Sequence, residues 1–260
     1  MAGPGYARRA GSTPPPLPPV ARTVGQVIAE ALKLYGSRFV PALALGLPLA
    51  ATTVLTHWLG THDLATRASR DTVAFDRTLL EQSLVLVAIA PFLSLAYAWA
   101  CGLEAASAPG ARRLVSAVAI GTVVFVPAAF SLGWFALLGV AWLGVAGWVV
   151  PVVVNEGLPV PPALRRAFAL FRADPAHAIG GLAALVAMFY VTRLVLEVLL
   201  REQADNEAVV ASALADLVIS PVIFLGAAIV YRDLVARVGT TKSDRARARA
   251  EALTPRPTRR

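Results

Sequence analysis

The sequence is short of charge and of cysteine. Charged residues form 15% of its 260 residues and hydrophobic residues form 57%, whereas about a quarter of the residues of a soluble domain are charged. Cys101 is the single cysteine, so the chain makes no internal disulfide bond. The charges occur mostly in short clusters with long uncharged runs between them. A soluble core needs no such runs, so we expect an integral membrane protein.

Local signatures of catalysis are missing as well. The sequence contains no H-E-x-x-H, G-x-S-x-G, P-loop or G-x-G-x-x-G pattern, which leaves metalloprotease, hydrolase and nucleotide-binding functions without support. His57, His62 and Asp63 lie close together, but a zinc site needs further ligands, and a polar group at a membrane interface explains them better. We therefore expect no catalytic residue, no metal and no cofactor, and we predict that the chain is not an enzyme.

Acidic residues are too few to balance the basic ones, and the formal net charge is +8. A nucleic-acid binder would carry its basic groups on one face of a soluble domain, whereas these arginines lie between apolar segments. We therefore exclude nucleic acid as a partner. Arginines beside membrane spans favour anionic lipid headgroups instead, with an attraction of roughly 1 kcal/mol per basic residue near the surface.

Long apolar segments dominate the rest of the sequence. A helix needs roughly 20 apolar residues to cross a bilayer. The uncharged stretch at 114–154 is too long for one such helix, so we divide it at a turn near Gly133. The predicted spans are 39–58, 83–103, 114–132, 134–154, 178–200 and 208–231. The predicted fold is thus an all-α bundle of about six spans, in which Pro91, Pro127 and Pro221 should produce kinks and not breaks.

The distribution of basic residues supports an even number of spans. With six spans, nineteen of the 24 lysine and arginine residues fall on the side that holds both termini, four fall on the opposite side, and Arg193 lies within a span. Basic residues are enriched in cytoplasmic segments. The expected topology therefore places both termini in the cytoplasm, and the expected location is a bacterial plasma membrane.

Two tails flank the predicted membrane domain, which covers residues 23–237. Residues 1–22 are rich in proline, and residues 238–260 are rich in arginine, alanine and proline. Neither segment has the apolar residues that a folded core requires. We predict that both tails are disordered and cytoplasmic.

Two short amphipathic helices are expected at the cytoplasmic edge of the membrane. The first follows Thr23, which has the spacing of a capping box with Gln26. The second covers about 163–171, with apolar residues toward one side and arginines toward the other, and ends at Asp174 before a proline. Such helices lie in the interface between lipid and water.

Ionisable residues inside the predicted spans are few. Arg193 and Glu197 are four residues apart and share a helix face, and Asp216 in the next span can approach them at a similar depth. Charge at membrane depth is costly, and it usually pairs or lines a polar path. One interpretation of this cluster is an ion pair between helices, and the other is a transport or ligand site.

Four segments carry a family resemblance, namely 23–35, 149–157, 163–171 and 231–234. In them the chain resembles the membrane domain that is attached to some bacterial glycerophosphoryl diester phosphodiesterases and that also occurs as a stand-alone protein. The resemblance covers about residues 23–237 and implies a helical membrane domain. It does not imply phosphodiesterase activity, which in such enzymes belongs to a separate α/β-barrel domain.

Glu156 and Asp233 match the pattern of that family at the cytoplasmic edge of the membrane. The resemblance implies an architectural role for them, with Arg165, Arg166 or Arg232 as partners in ion pairs. It supplies no catalytic residue.

The predicted function is that of a non-catalytic scaffold, partner-binding or regulatory module, with an unidentified protein partner in addition to lipid. The alternative is a transporter or channel that uses Arg193, Glu197 and Asp216. A membrane enzyme that modifies lipid, with a site that no local motif reveals, is a third interpretation.

Overall fold

The computed structural model describes residues 18–61, 74–134, 136–200 and 205–253, and within these ranges the chain is helical with no strand. The helices are α1 (Val24–Ser37), α2 (Phe39–Leu43), α3 (Leu47–Thr61), α4 (Ala74–Ala105), α5 (Ala111–Trp134), α6 (Ala136–Ala146), α7 (Val149–Pro151), α8 (Val160–Ala173), α9 (Pro175–Leu200), α10 (Asp205–Ile219), α11 (Pro221–Arg237) and α12 (Lys242–Leu253). His62 and Asp63 lie outside the described residues.

Six segments are long and apolar enough to cross a membrane, which confirms the predicted all-α bundle. They are Phe39–Trp58, Leu84–Ala105, Ala111–Ser131, Leu137–Glu156, Pro175–Leu200 and Glu207–Arg237. The uncharged stretch is thus two spans, because α5 ends at Trp134 and α6 begins at Ala136. Large apolar side chains on α9 such as Leu194 and Leu199 are exposed, as expected of a surface that faces lipid.

Three of the spans are interrupted where the sequence predicted continuous helices. The first contains a 3₁₀ turn at Ala44–Gly46, and the fourth passes through Gly147 and Trp148 into α7 and a π-helix at Val152–Glu156. In the sixth span the helical hydrogen-bond pattern lapses at Ser220 between α10 and α11, because Pro221 has no N–H to donate, but Ser220 itself keeps a helical backbone conformation. Pro91 and Pro127 lie inside α4 and α5, and the segment Glu207–Arg237 runs through Pro221 as a single span.

Both amphipathic helices are present, and their apolar faces pack on the spans. The capping box of Thr23 and Gln26 starts α1, and Val27 and Ala31 of this helix are fully buried on a side that packs against α11. In α8, Ala163 and Leu170 are likewise fully buried, and this helix packs against α6 and α11. Each helix is therefore fixed to the bundle by its apolar face.

The core is formed by the tight antiparallel pair α4 and α5 and by the contacts of α3 with α10 and of α9 with α11. More than half of the second, fourth and sixth spans is buried, at 56%, 61% and 61%. Gly46 allows one of the closest approaches, since a Cβ at this position would overlap the carbonyl oxygen of Leu217 and lie 2.8 Å from its Cα. Small residues at such crossings let helix backbones pack closely in a membrane.

Parts of both predicted tails are helical where the structure describes them. Residues 18–22 contain a 3₁₀ turn, and α12 occupies Lys242–Leu253. Thr241 and Asp244 cap α12, because Oδ2 of Asp244 accepts a hydrogen bond from the N–H of Thr241 (2.9 Å) and Thr241 Oγ1 accepts one from the N–H of Asp244 (3.2 Å). Alanine and arginine both favour helices, so a segment with too few large apolar residues for a core still forms one. Residues 1–17 and 254–260 lie outside the described chain.

Candidate functional site

An ion pair joins two spans at membrane depth. Arg193 of α9 donates from Nη1 to Oδ2 of Asp216 of α10 at 2.7 Å, and the Asp216 side chain is only 2% exposed. Thr53 of α3 donates its hydroxyl to the same oxygen of Asp216, and Arg193 lies 3.3 Å from that hydroxyl. The structure thus brings Arg193 and Asp216 together and adds Thr53. The side chain of Glu197 lies outside the described part of the chain.

The second polar group lies where the two ends of the described chain meet, and we call this region the charged end. At its centre is Asp233 of α11, which is fully buried. Its Oδ1 accepts a hydrogen bond from Nη1 of Arg22 at 3.0 Å, and its Oδ2 lies 3.2 Å from Nε2 of His177 at the start of α9. A buried carboxylate needs such partners, because an isolated buried charge is strongly unfavourable.

Arg22 also ties the segment before α1 to the rest of the charged end. Its guanidinium lies 2.9 Å from the carboxylate of Glu30 on α1. Its carbonyl oxygen accepts a hydrogen bond at 2.7 Å from Nη2 of Arg237, the last residue of α11. The first and last described segments therefore lie at the same end of the bundle, as an even number of spans requires.

Asp174 connects α9, α11 and α12. Its Oδ1 caps α9 by accepting a hydrogen bond from the N–H of His177 at 3.2 Å, and its Oδ2 accepts from Arg237 at 2.7 Å and also from Arg245 of α12. Burial raises the pKa of Asp174, but the hydrogen bonds from Arg237 and His177 and the charges of Arg237 and Arg245 outweigh it. The pKa of this carboxyl therefore lies below its ordinary value.

Glu156 and Arg232 take part in two further ion pairs at the charged end. Glu156, the last residue of the π-helix, accepts from Nε of Arg166 at 3.1 Å and from the hydroxyl of Tyr231 at 3.0 Å. Arg232 donates to Glu104 at the end of α4. Of the partners that the family resemblance implied, Arg166 pairs with Glu156, whereas Asp233 pairs with Arg22 and not with Arg232. Arg165 is exposed.

Two clefts open at the charged end. One, of about 840 Å³, lies between the ends of α4 and α11 and the π-helix, and Glu104, Glu156 and Arg232 are in its wall. The other, of about 600 Å³, lies between Arg22, Arg237 and α12. Among the described residues, no group of three or more histidine, cysteine, aspartate or glutamate side chains is arranged to hold a metal ion.

Several residues of the charged end gave no signal in the sequence. Arg22 and Arg245 fall in the segments for which the sequence predicts disordered tails, and no local pattern distinguishes His177. Their partners are far away in the chain, so that 211 positions separate Arg22 from Asp233. The one available signal was that Asp174 precedes Pro175, a combination that suits the N-cap and first position of a helix.

Replacing Asp174 by asparagine should release α12 from the bundle. Asparagine still caps α9, but it removes the charge that Arg237 and Arg245 share, and charge-assisted hydrogen bonds are stronger than neutral ones. We expect amide hydrogen exchange in residues 242–253 to become about tenfold faster. Glu251→Gln, which removes an equal charge from an exposed part of α12, should leave exchange unchanged. Equal acceleration in both variants would contradict the assignment of this contact.

Acidification should have the same effect as this substitution. Because the pKa of Asp174 is lowered in the folded chain, its contribution is complete above the pKa of an ordinary aspartate and is lost as the pH falls through the lower folded value. The contact of α12 should therefore be intact at neutral pH and weaken only in acid.

Comparisons with family models, with curated proteins and with solved structures found no match for this chain. The two polar groups described above are therefore interpreted from their geometry alone.

Proposed function

We propose that the chain is a non-catalytic scaffold or partner-binding module of the plasma membrane, and that its charged end is the docking face. The observation that carries the proposal is the burial of the carboxylate in the intramembrane ion pair, whose other member, Arg193, is 31% exposed. Asp216 is 2% exposed and is held by Arg193 and Thr53 from two other helices. Such an arrangement joins helices, whereas a transport site needs access to water.

The charged end supports the docking role. It gathers the segment before α1, both amphipathic helices and α12, and it contains two clefts. The partners that fit this face are anionic lipid headgroups, through its arginines, and an unidentified protein. The excess of basic residues on this side favours the cytoplasm as its location, so both termini would be cytoplasmic. The resemblance to a stand-alone membrane domain without a catalytic unit agrees with this proposal.

Transport is the second candidate function. Its support is the position of Arg193 and Asp216 inside two membrane spans, together with a neighbouring hydroxyl from Thr53. A carboxylate, a guanidinium and a hydroxyl can form a binding site for an ion or polar substrate if water reaches them.

Accessibility of Thr53 should distinguish the two functions. In a Cys101→Ala background we expect Thr53→Cys to react with a membrane-impermeant thiol reagent at least about tenfold more slowly than an exposed thiol, because a closed bundle keeps the thiolate from water. The measurement is labelling in right-side-out and inside-out vesicles. Fast labelling of Thr53→Cys from either side would favour a water-filled path and overturn the scaffold proposal.

Ser107→Cys serves as the exposed control and also reports which side of the membrane the charged end faces. Ser107 is exposed in the loop after α4, at the charged end, so this thiol should react rapidly. If the charged end is cytoplasmic, the reaction occurs in inside-out vesicles and not in right-side-out ones. Reaction from the outer side alone would reverse the proposed orientation.

A further inference from the structure

The smaller cleft at the charged end has an unusual lining. Its walls are formed by Arg22 and Arg237 on one side and by α12 on the other, and its volume is about 600 Å³. Its ionisable side chains are Arg22, Asp174, Arg237, Lys242, Arg245 and Arg249. We call it the basic cleft, since five of these six are cationic.

The charges of the basic cleft are only partly balanced within the protein. Asp174 is the one carboxylate of the lining, and both Arg237 and Arg245 bind its Oδ2. The charge of Arg22 is balanced by Asp233 and Glu30, which lie outside the lining of the cleft. The side chains of Lys242 and Arg249 are exposed and make no ion pair with another described residue. An anion in the cleft would therefore meet positive charge that the fold leaves uncompensated.

Hydrogen-bond donors are also left over in this lining. Nε of Arg22 and Nε of Arg237 are buried and have no acceptor among the described residues. The whole Arg237 side chain is only 7% exposed. Buried donors without a partner are uncommon in folded proteins and call for an explanation. Both belong to guanidinium groups, whose planar array of donors suits a multivalent oxyanion.

The position of the cleft restricts the kind of anion. Asp174 directly precedes the fifth span, and Arg237 is the last residue of the sixth. The cleft is thus at the level where the polar headgroups of a bilayer begin, and phosphate is the anionic group that lipids present there. Its volume is also sufficient for a phosphate ester, since small-molecule sites begin at about 300 Å³.

We propose that the basic cleft is a binding site for a phosphate group, carried either by a lipid headgroup or by a small soluble phosphate. This deepens the proposed docking function, on which it rests, by naming the chemistry of one ligand. Lys242 and Arg249 bind the anion directly through uncompensated charge, while Arg22 and Arg237 form the rigid back wall.

The test uses the full chain in nanodiscs, with two arms that separate the two sources of phosphate. In one arm, inorganic phosphate is titrated into nanodiscs of zwitterionic lipid, and binding is followed by ³¹P line broadening. In the other, the chain is released from nanodiscs that contain phosphatidic acid, and retained lipid is measured by native mass spectrometry. Binding in the first arm supports a soluble phosphate, and retention in the second arm alone supports a headgroup.

The decisive variant is Lys242→Gln with Arg249→Gln, since neither residue supports the fold through an ion pair. Two cations near the anion should together contribute about 30-fold to affinity, and this loss is expected in whichever arm shows binding. The matched control is Arg165→Gln with Arg247→Gln, which removes the same charge from exposed positions outside the lining. The control should bind like the unmodified chain.

Three outcomes would overturn the proposal. They are no binding in either arm, equal loss in the variant and the control, and unchanged binding in the variant. Equal loss would indicate general attraction to a positive surface. The labelling of Thr53→Cys is independent of all three, so a failure here with a protected Thr53→Cys would leave a docking module with a different partner.

Discussion

Arg193→Met is expected to destabilise the folded chain by about 3 kcal/mol, because removing the guanidinium leaves the buried charge of Asp216 uncompensated. Asp216 would remain 2% exposed and keep the hydroxyl of Thr53, but it would lose the guanidinium at 2.7 Å. Methionine preserves most of the length and apolar surface of the arginine stem. The measurement is the free energy of unfolding in mixed detergent micelles.

The double variant Arg193→Met with Asp216→Leu separates structure from function. Removing both charges together should restore stability to within about 1 kcal/mol of the original, because an apolar pair can replace a buried ion pair. Leu194→Met, at a neighbouring position that is 60% exposed, serves as the control and should have no effect. If Arg193→Met unfolds like the unmodified chain, the ion pair does not hold the spans together, and the scaffold proposal loses its main support.

The proximity of Arg193 and Asp216 was predictable because ionisable residues in apolar spans are so few. Each such residue needs a partner at its own depth, and the sequence offered almost no others. Thr53 was not predictable in the same way. Threonine is common in membrane helices and usually bonds to its own backbone, as Thr52 does to the carbonyl of Pro48.

The charged end shows the opposite case. Where charges are abundant, their spacing along the chain does not determine which of them pair. Asp233 had Arg232 beside it in sequence, yet adjacent residues on a helix point in different directions, and the carboxylate pairs with Arg22 from the other end of the chain. Such pairing follows from the packing of the spans, which the sequence pattern specifies only as an all-α bundle.

The spans themselves were predictable because length and hydropathy depend on local sequence alone. Their interruptions were harder to predict, since they depend on close contacts between spans. The 3₁₀ turn at Ala44–Gly46 is an example, because Gly46 meets the backbone of Leu217 from a helix more than 150 residues away. The residues around Gly46 do not indicate this contact, and Gly180, which also lies in an apolar span, has no atom within 4 Å of an added Cβ.

Gly46→Ala should therefore destabilise the bundle by about 3 kcal/mol, which is the upper range for overpacking of a tight contact. The new methyl group would overlap the backbone of α10, which moves less easily than a side chain. Gly180→Ala is the matched control and should be neutral or slightly stabilising, since alanine favours a helix over glycine by about 1 kcal/mol. Thermal unfolding of both variants in the same detergent is the measurement.

Gly46 and Thr53 contact the same helix, α10. Gly46→Ala should therefore also make the thiol of Thr53→Cys more reactive. Stable folding with an unreactive thiol would show that the position of α10 does not depend on this contact.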